Sequence, residues 1–366
     1  MGRGIPAVAR QRGHEEEYRS AVYRDCRASL QRGSAYLVAA SDPGGGWSDF
    51  ATNRSGSSTS WVAAHVLWQA GDILPSHTVA LAVRSLTSQR QVSGGWGFSA
   101  SVPPDCDSTI HALQALRATG RACVQPDKAV RFALLHQQEC GGFATYLEDG
   151  RLGGYRNAGQ NETYDGWTQA HVCVTSVAVE TLRLFPRLVP EHVIPRALAF
   201  LLRSQEEEGF WRSYWWRSKY FATARIIREL DAQPLPGSRE AVERALSWIS
   251  DTADHDGYWS NGYDTRTPCM LSTAACVGVL GSKQWDAELL TKSLSWIVRQ
   301  QKADGSWAGA PTLRIPPPAE LDPDGASSWR VGGRGVGSCC SDEKRIYTTA
   351  AVIGAIQRCL DERRGR

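Results

Sequence analysis

Apolar residues in this chain recur at helical spacing. Ile110, Leu113 and Leu116, and again Ile353, Ile356 and Leu360, fall three or four apart, which puts each set on one face of a helix. The pattern predicts one Ala-rich series of helices near 58–71, 107–119, 171–185, 219–231, 268–281 and 345–361. A second series is predicted near 75–89, 127–138, 190–204, 237–249 and 285–300, with a further helix near 15–39. Between them recurs Gly-x-aromatic, at Gly45/Trp47, Gly94/Trp96, Gly141/Phe143, Gly209/Trp211, Gly257/Trp259 and Gly305/Trp307. Successive aromatics are 49, 47, 68, 48 and 48 residues apart, the signature of a repeat architecture. The helices near 15–39 and 345–361 are left unpaired, and pairing them closes six hairpins into a ring. The predicted fold is therefore an all-α (α/α)6 barrel with the Ala-rich series inside. Residues 1–14 read as an N-terminal tail and 15–366 as a single domain. Closure removes the exposed ends that an open solenoid must cap.

The turns themselves call for no chemistry. Gln stands four residues before the Gly at Gln137, Gln205 and Gln301. Gly permits a tight backbone, and the aromatic ring buries a large apolar area, so these are staples between hairpins. Two units carry extra chain, near 147–170 and 308–344. Loops of this length inside a compact domain are usually functional or disordered. Both leave the same point of the repeat, in units opposite each other, which predicts a roofed cavity mouth.

Composition narrows the partners. Against 41 Lys+Arg stand 38 Asp+Glu, a net charge of +3, too small to propose nucleic acid. No run reaches 18 apolar residues, so no transmembrane segment is expected, and the first residues lack the apolar core of a signal peptide. A cytoplasmic location follows as the expectation, with the 10 cysteines mostly reduced and buried. The Arg-heavy basic set points to a bacterial, GC-rich genome.

The sharpest chemical feature is VPPDCDSTIHAL, which leads into a predicted inner helix and sets Asp105 and Asp107 at its N-terminal lip. Asp followed by Ser and Thr also starts helices as a simple N-cap. Two close carboxylates, however, resist joint ionisation, and one can stay protonated in an apolar cavity. The run GGWGFSASVPPDCDSTIHALQAL resembles the segment of squalene–hopene cyclases and class II terpene cyclases that carries an Asp-x-Asp-Asp-Thr motif. The segments GGFATYLED, VTSVAVETL and GFWRSYWWRSKYFATA resemble the repeats that follow, so the likeness spans roughly 41–361.

The resemblance implies protonation-initiated cyclisation of a linear isoprenoid or isoprenoid-bearing substrate, without a cofactor or metal. Asp107 falls on the proton donor and Asp105 on its carboxylate neighbour. Ser108 departs from the third acidic position, whereas Thr109 matches. Phe98, Tyr146, Trp215 and Phe221 fall on cavity positions, where a ring face stabilises a cation by roughly 0.5–2 kcal/mol. His111 is a candidate to tune the acid, and Arg212 and Arg217 to hold an anionic head group. Cyclases of this family set a second barrel over the cavity. In 366 residues the insertions, a partner or a second copy of the chain is expected to cover the mouth instead.

Two alternatives stay open. One is a catalytically silent or repurposed barrel that binds a lipid or a protein partner. The other is a zinc prenyltransferase-like subunit, for which Asp264 and Cys269 lie in the right unit but Tyr347 stands where a His ligand is needed.

Overall fold

The computed structural model describes residues 7–52, 56–120, 125–149, 151–156, 163–325 and 328–364. Its helices are α1 (Ala7–Ala39), α2 (Ser60–Ala70), α3 (Ser76–Ser88), α4 (Cys106–Ala118), α5 (Pro126–Leu134), α6 (Arg151–Arg156) and α7 (Asp165–Thr168). They continue with α8 (Val172–Leu182), α9 (Val193–Arg203), α10 (Lys219–Ala232), α11 (Ser238–Asp251), α12 (Met270–Lys283), α13 (Ala287–Arg299) and α14 (Ile346–Arg364). Helix α1 begins eight residues before the predicted start, taking in part of the segment read as a tail.

The inner helices touch in the cyclic order α2, α4, α8, α10, α12, α14 and back to α2. Outside them α3, α5, α9, α11 and α13 each pack on the preceding inner helix, and α1 packs on α14. The chain's two ends thus complete the sixth hairpin. Inner helices are buried almost all round, which is why they are rich in Ala and small residues. Where α12 crosses α14, a Cβ at Gly281 would lie 2.5 Å from Cys359 Sγ, so only Gly allows that approach.

The turns form one repeated hydrogen-bond pattern. Trp47, Trp96, Trp211, Trp259 and Trp307 are fully buried, and each indole N–H donates to the carbonyl ten residues earlier, at 2.6–2.8 Å. In five units the aromatic residue's own backbone N–H donates to a threonine of the next inner helix: Thr109, Thr175, Thr223, Thr273 or Thr349. Gln137, Gln205 and Gln301 each donate to the turn glycine's carbonyl and to a carbonyl of a neighbouring segment. The turn glycines have φ between +85° and +104°. At Gly305 a Cβ would also meet the Arg32 carbonyl oxygen at 2.3 Å. Burying an indole is worth roughly 4–6 kcal/mol of transfer free energy, so these staples anchor each hairpin to the next.

Short strands, absent from the helical reading, occur in the connections. Strands β1 (Asp49–Thr52) and β2 (Gly56–Ser58) pair antiparallel. The sixth-unit insertion folds into a sheet of β3 (Pro311–Ile315), β4 (Arg330–Val331) and β5 (Ser338–Ser341) in the order β3-β5-β4. Cys339 and Cys340 lie on β5. Strand β3 docks beside 213–217, with Arg314 N donating to Trp215 O and Arg217 N to Thr312 O. The two insertions meet where Trp167 Nε1 donates to Pro316 O (3.0 Å) and Gln169 Nε2 to Leu321 O (2.8 Å). Residues 150, 157–162, 326 and 327 of the predicted insertions lie outside the described residues. No helix among those described is long and apolar enough to cross a membrane.

Candidate active site

A cavity of about 420 Å³ opens where the inner helices begin, between the two insertions. At its floor the two aspartates divide the work. Asp105 caps α4: its Oδ1 accepts from Ser108 N (2.7 Å) and its Oδ2 from Ser108 Oγ (2.8 Å). Asp107 stands in the first turn with no capping role and lines the cavity. Its side chain is 20% exposed, and that face opens into the cavity.

Burial raises the Asp107 carboxyl above the ordinary aspartate range, against the pull of His111, Arg225 and Trp61. Asp105 is pushed up to about 8, first by burial and further by the Asp107 charge, while the bonds from Ser108 oppose the shift. His111 Nδ1 lies 3.6 Å from Asp107 Oδ1 and 2.9 Å from the Asp107 carbonyl oxygen. A carbonyl only accepts, so Nδ1 carries the hydrogen. Burial lowers the imidazole's own pKa and keeps it neutral.

Aromatic rings wall the cavity. Phe98, Tyr146 and Trp215, expected from sequence, line it together with Trp61, Trp167 and Trp216, which sequence reasoning did not single out. Trp61 stacks on Phe98 and lies 5.6 Å from Trp216, centroid to centroid. Trp215 is fixed from behind: its Nε1 donates to Thr145 Oγ1 (2.7 Å), which lies 2.8 Å from His171 Nδ1, and His171 Nε2 is 2.8 Å from Gly166 O. Burial holds His171 neutral, lowering its pKa to about 3, so the chain runs consistently from indole to carbonyl.

Other expected site residues fall elsewhere. Phe221 is buried behind Trp216, stacked on it at 4.2 Å, and does not reach the cavity. Thr109 receives the Trp96 N–H and is part of the turn, and Ser108 lines the cavity but serves the cap. Arg212 and Arg217 do not line the cavity. Arg212 is held by Glu206, Asp322 and Asp324, while Arg217 lies over the Tyr263 ring. Among the described residues the arginines at the cavity are Arg314, Arg330 and Arg334, all from the sixth-unit insertion. Arg314 is paired with Asp324 and Arg334 with Glu343. Arg330 donates to the Arg334 and Val336 carbonyls and has no carboxylate partner among the described residues.

For the zinc alternative, Asp264 is bound to Thr267 and Cys269 stands at the N-cap position of α12 without a side-chain capping bond. Among the described residues neither belongs to a group of three potential ligands. Tyr347 is buried and stacked on His65 and Trp61.

The family described as "Squalene-hopene cyclase C-terminal domain" matches residues 65–312. The chain belongs to that family. Among its curated relatives are a squalene–hopene cyclase from Zymomonas mobilis, 23% identical over 237 residues, and a drimenyl diphosphate synthase from Streptomyces showdoensis, 25% identical over 248. These alignments take in 58% and 65% of this chain but only 36% and 43% of the relatives, so the chain spans less than half their length. The type II terpene cyclase MstE from Scytonema, solved with merosterolic acid A as product, superposes with a TM-score of 0.82 at 25% identity. That match covers 94% of this chain and 99% of the other. A protein from Actinoplanes superposes with a TM-score of 0.81, also at 25% identity, over 92% of this chain and 99% of that one.

Proposed function

We propose that this protein is a protonation-initiated cyclase of a linear isoprenoid that carries an anionic head group. The observation that supports this most is the separation of roles at α4. Asp105 satisfies the helix terminus, which leaves Asp107, its carboxyl raised by burial, facing a ring-walled cavity. In the proposed reaction the Asp107 O–H bond breaks as its hydrogen adds to a terminal alkene carbon. The electron deficit then passes along the folded chain as rings close, facing Trp61, Phe98, Tyr146, Trp167, Trp215 and Trp216. The last cation loses a proton to give an alkene, so substrate and product are isomers. Water must be excluded while the cation lives, which the packed insertions favour.

Arg330 is placed to hold the head group at the mouth. Two relatives are consistent with such a head. The Scytonema cyclase has been solved with geranylgeranyl dihydroxybenzoate as substrate, and the Streptomyces enzyme is named for a diphosphate. The Scytonema structure and this chain cover one another almost fully, which supports a cavity roofed by the barrel's own insertions.

Incubation with farnesyl diphosphate, geranylgeranyl diphosphate and geranylgeranyl dihydroxybenzoate in deuterated water tests the proposal. The expected product is a cyclic isomer carrying one deuterium from the enzyme, abolished by Asp107→Asn. Tight binding of these compounds without any isomer would favour the lipid-binding alternative. Undiminished turnover in the variant would remove Asp107 from the mechanism.

A further inference from the structure

The inner helices repeat, so the residues at their starts can be compared by register. The threonine that receives the aromatic N–H is Thr109 on α4 and Thr175 on α8. Four residues before it stand Asp105 and His171, each at the N-cap position. Asp105 spends its side chain on the helix end, but His171 makes no capping bond. Both of its ring nitrogens instead find partners that the repeat does not supply. The residue is 2% exposed and does not line the cavity. A side chain this deeply buried, released from the frame and yet fully paired, serves a purpose local to its own unit.

The partners fix the direction of every hydrogen bond. The Gly166 carbonyl only accepts, so His171 Nε2 carries the hydrogen (2.8 Å) and Nδ1 is the acceptor. Nδ1 takes the Thr145 hydroxyl hydrogen (2.8 Å), and Thr145 Oγ1 takes the Trp215 indole N–H (2.7 Å). Burial keeps the imidazole neutral, and only the neutral ring both donates and accepts. Both ends of this chain meet other parts of the site. The Thr145 carbonyl accepts from the backbone N–H of Cys106 (2.9 Å), the residue before Asp107. Gly166 lies in α7 of the first insertion, where an added Cβ would collide with the Glu320 carbonyl of the second. Tyr214, stacked on His171 at 4.1 Å, donates its hydroxyl to that same carbonyl (2.8 Å). The acid's helix, a cavity ring and the seam of the roof thus meet at Thr145 and His171.

We infer that Thr145 and His171 are positioning residues that fix the face Trp215 turns to the substrate, and that the seated roof holds them in place. The role in cyclisation rests on the cyclase reading above, whereas the clamp on the indole does not. A ring stabilises a cation only with its face toward the charge, so an indole free to swing loses that contact. Each acceptor in the chain also polarises the donor before it, which strengthens the negative face of the ring. Without the clamp, the cation opposite Trp215 ends its path early. It then sheds a proton to give a less cyclised isomer, or adds water and releases a proton to give an alcohol.

Two changes test it. Thr145→Val removes the hydroxyl at nearly constant shape, and His171→Phe removes both nitrogens while keeping the stack on Tyr214. Geranylgeranyl dihydroxybenzoate and the two diphosphates are the substrates tried. Each variant is expected to raise the ratio of early-terminated to fully cyclised product about two- to tenfold, the worth of one neutral hydrogen bond. Thr145→Ser, which retains the hydroxyl, is expected to keep the original ratio. The double variant should shift the ratio no further than the larger single change, because both cut one chain. A merely structural role would lower the yield of active enzyme and leave the ratio unmoved, and that outcome, or additive shifts, overturns the inference. The clamp is read without turnover from the Trp215 indole N–H resonance in protein carrying isotope-labelled tryptophan, identified by its loss in Trp215→Phe. An upfield shift in Thr145→Val but not in Thr145→Ser is expected, and an unmoved resonance overturns the clamp. If no compound is turned over, the cyclase reading fails and the product role with it, while the clamp still stands or falls on the indole resonance.

Discussion

Tryptophan does two different jobs here, and hydrogen bonding tells them apart. The five turn indoles are fully buried, and each spends its N–H on the carbonyl ten residues back. Of the cavity indoles, Trp61 bears on the Asp107 carboxyl, Trp215 reaches a side-chain hydroxyl, and Trp167 reaches the other insertion. A residue whose polar atom closes a repeated local circuit is part of the frame. One whose polar atom answers to the cavity or its roof is available to chemistry. The two aspartates of α4 repeat the contrast, Asp105 closing the helix end and Asp107 left to line the cavity.

The sharpest way to break this division is Asp107→Asn. Cyclisation should fall by at least about a hundredfold while the thermal transition stays in place. A variant that unfolds, or that still cyclises, would put Asp107 in the frame after all. In the opposite direction, Trp307→Ala should cost about 3–5 kcal/mol of stability, read from urea denaturation, with product identity unchanged. Trp215→Leu should lower the cyclisation rate roughly 2- to 30-fold, the worth of one cation–ring contact, and alter the product mixture with little loss of stability.

A further prediction separates the aspartates by pH. Asp105 is held protonated up to about 8, whereas an unfolded aspartate titrates near 4. The folded state therefore binds more protons between those values, so stability falls as pH rises through that window. Asp105→Asn keeps a capping oxygen and should flatten that slope without abolishing it, because buried Asp342, raised to about 7, titrates alongside. Stability curves at several pH values check this.

The frame was legible because it repeats. Helical spacing placed the inner series within a few residues of the observed helices, and the Gly-x-aromatic period placed the turns. The small sheet of the sixth insertion was not legible, since Pro311–Ile315 pairs with Ser338–Ser341 across a long Pro- and Gly-rich stretch without its own period. Asp107 could be found because a resemblance singled it out. Trp61 could also have been found, by register. It occupies on α2 the place that Asp107 occupies on α4, the second residue of the helix. Phe221 misled because Trp216, from the preceding loop, covers it. Arg212 and Arg217 misled because charge alone does not tell which carboxylates a fold brings near. Arg330, at the cavity, has no carboxylate partner among the described residues.

The claim beneath all of this is that Asp107 keeps its proton where an ordinary aspartate has lost it. Infrared titration of the carboxylic-acid carbonyl band, taken as the difference between the unaltered protein and Asp107→Asn, measures that proton directly. The account predicts a band that persists above the ordinary aspartate range. Loss of the band near pH 4 would contradict it.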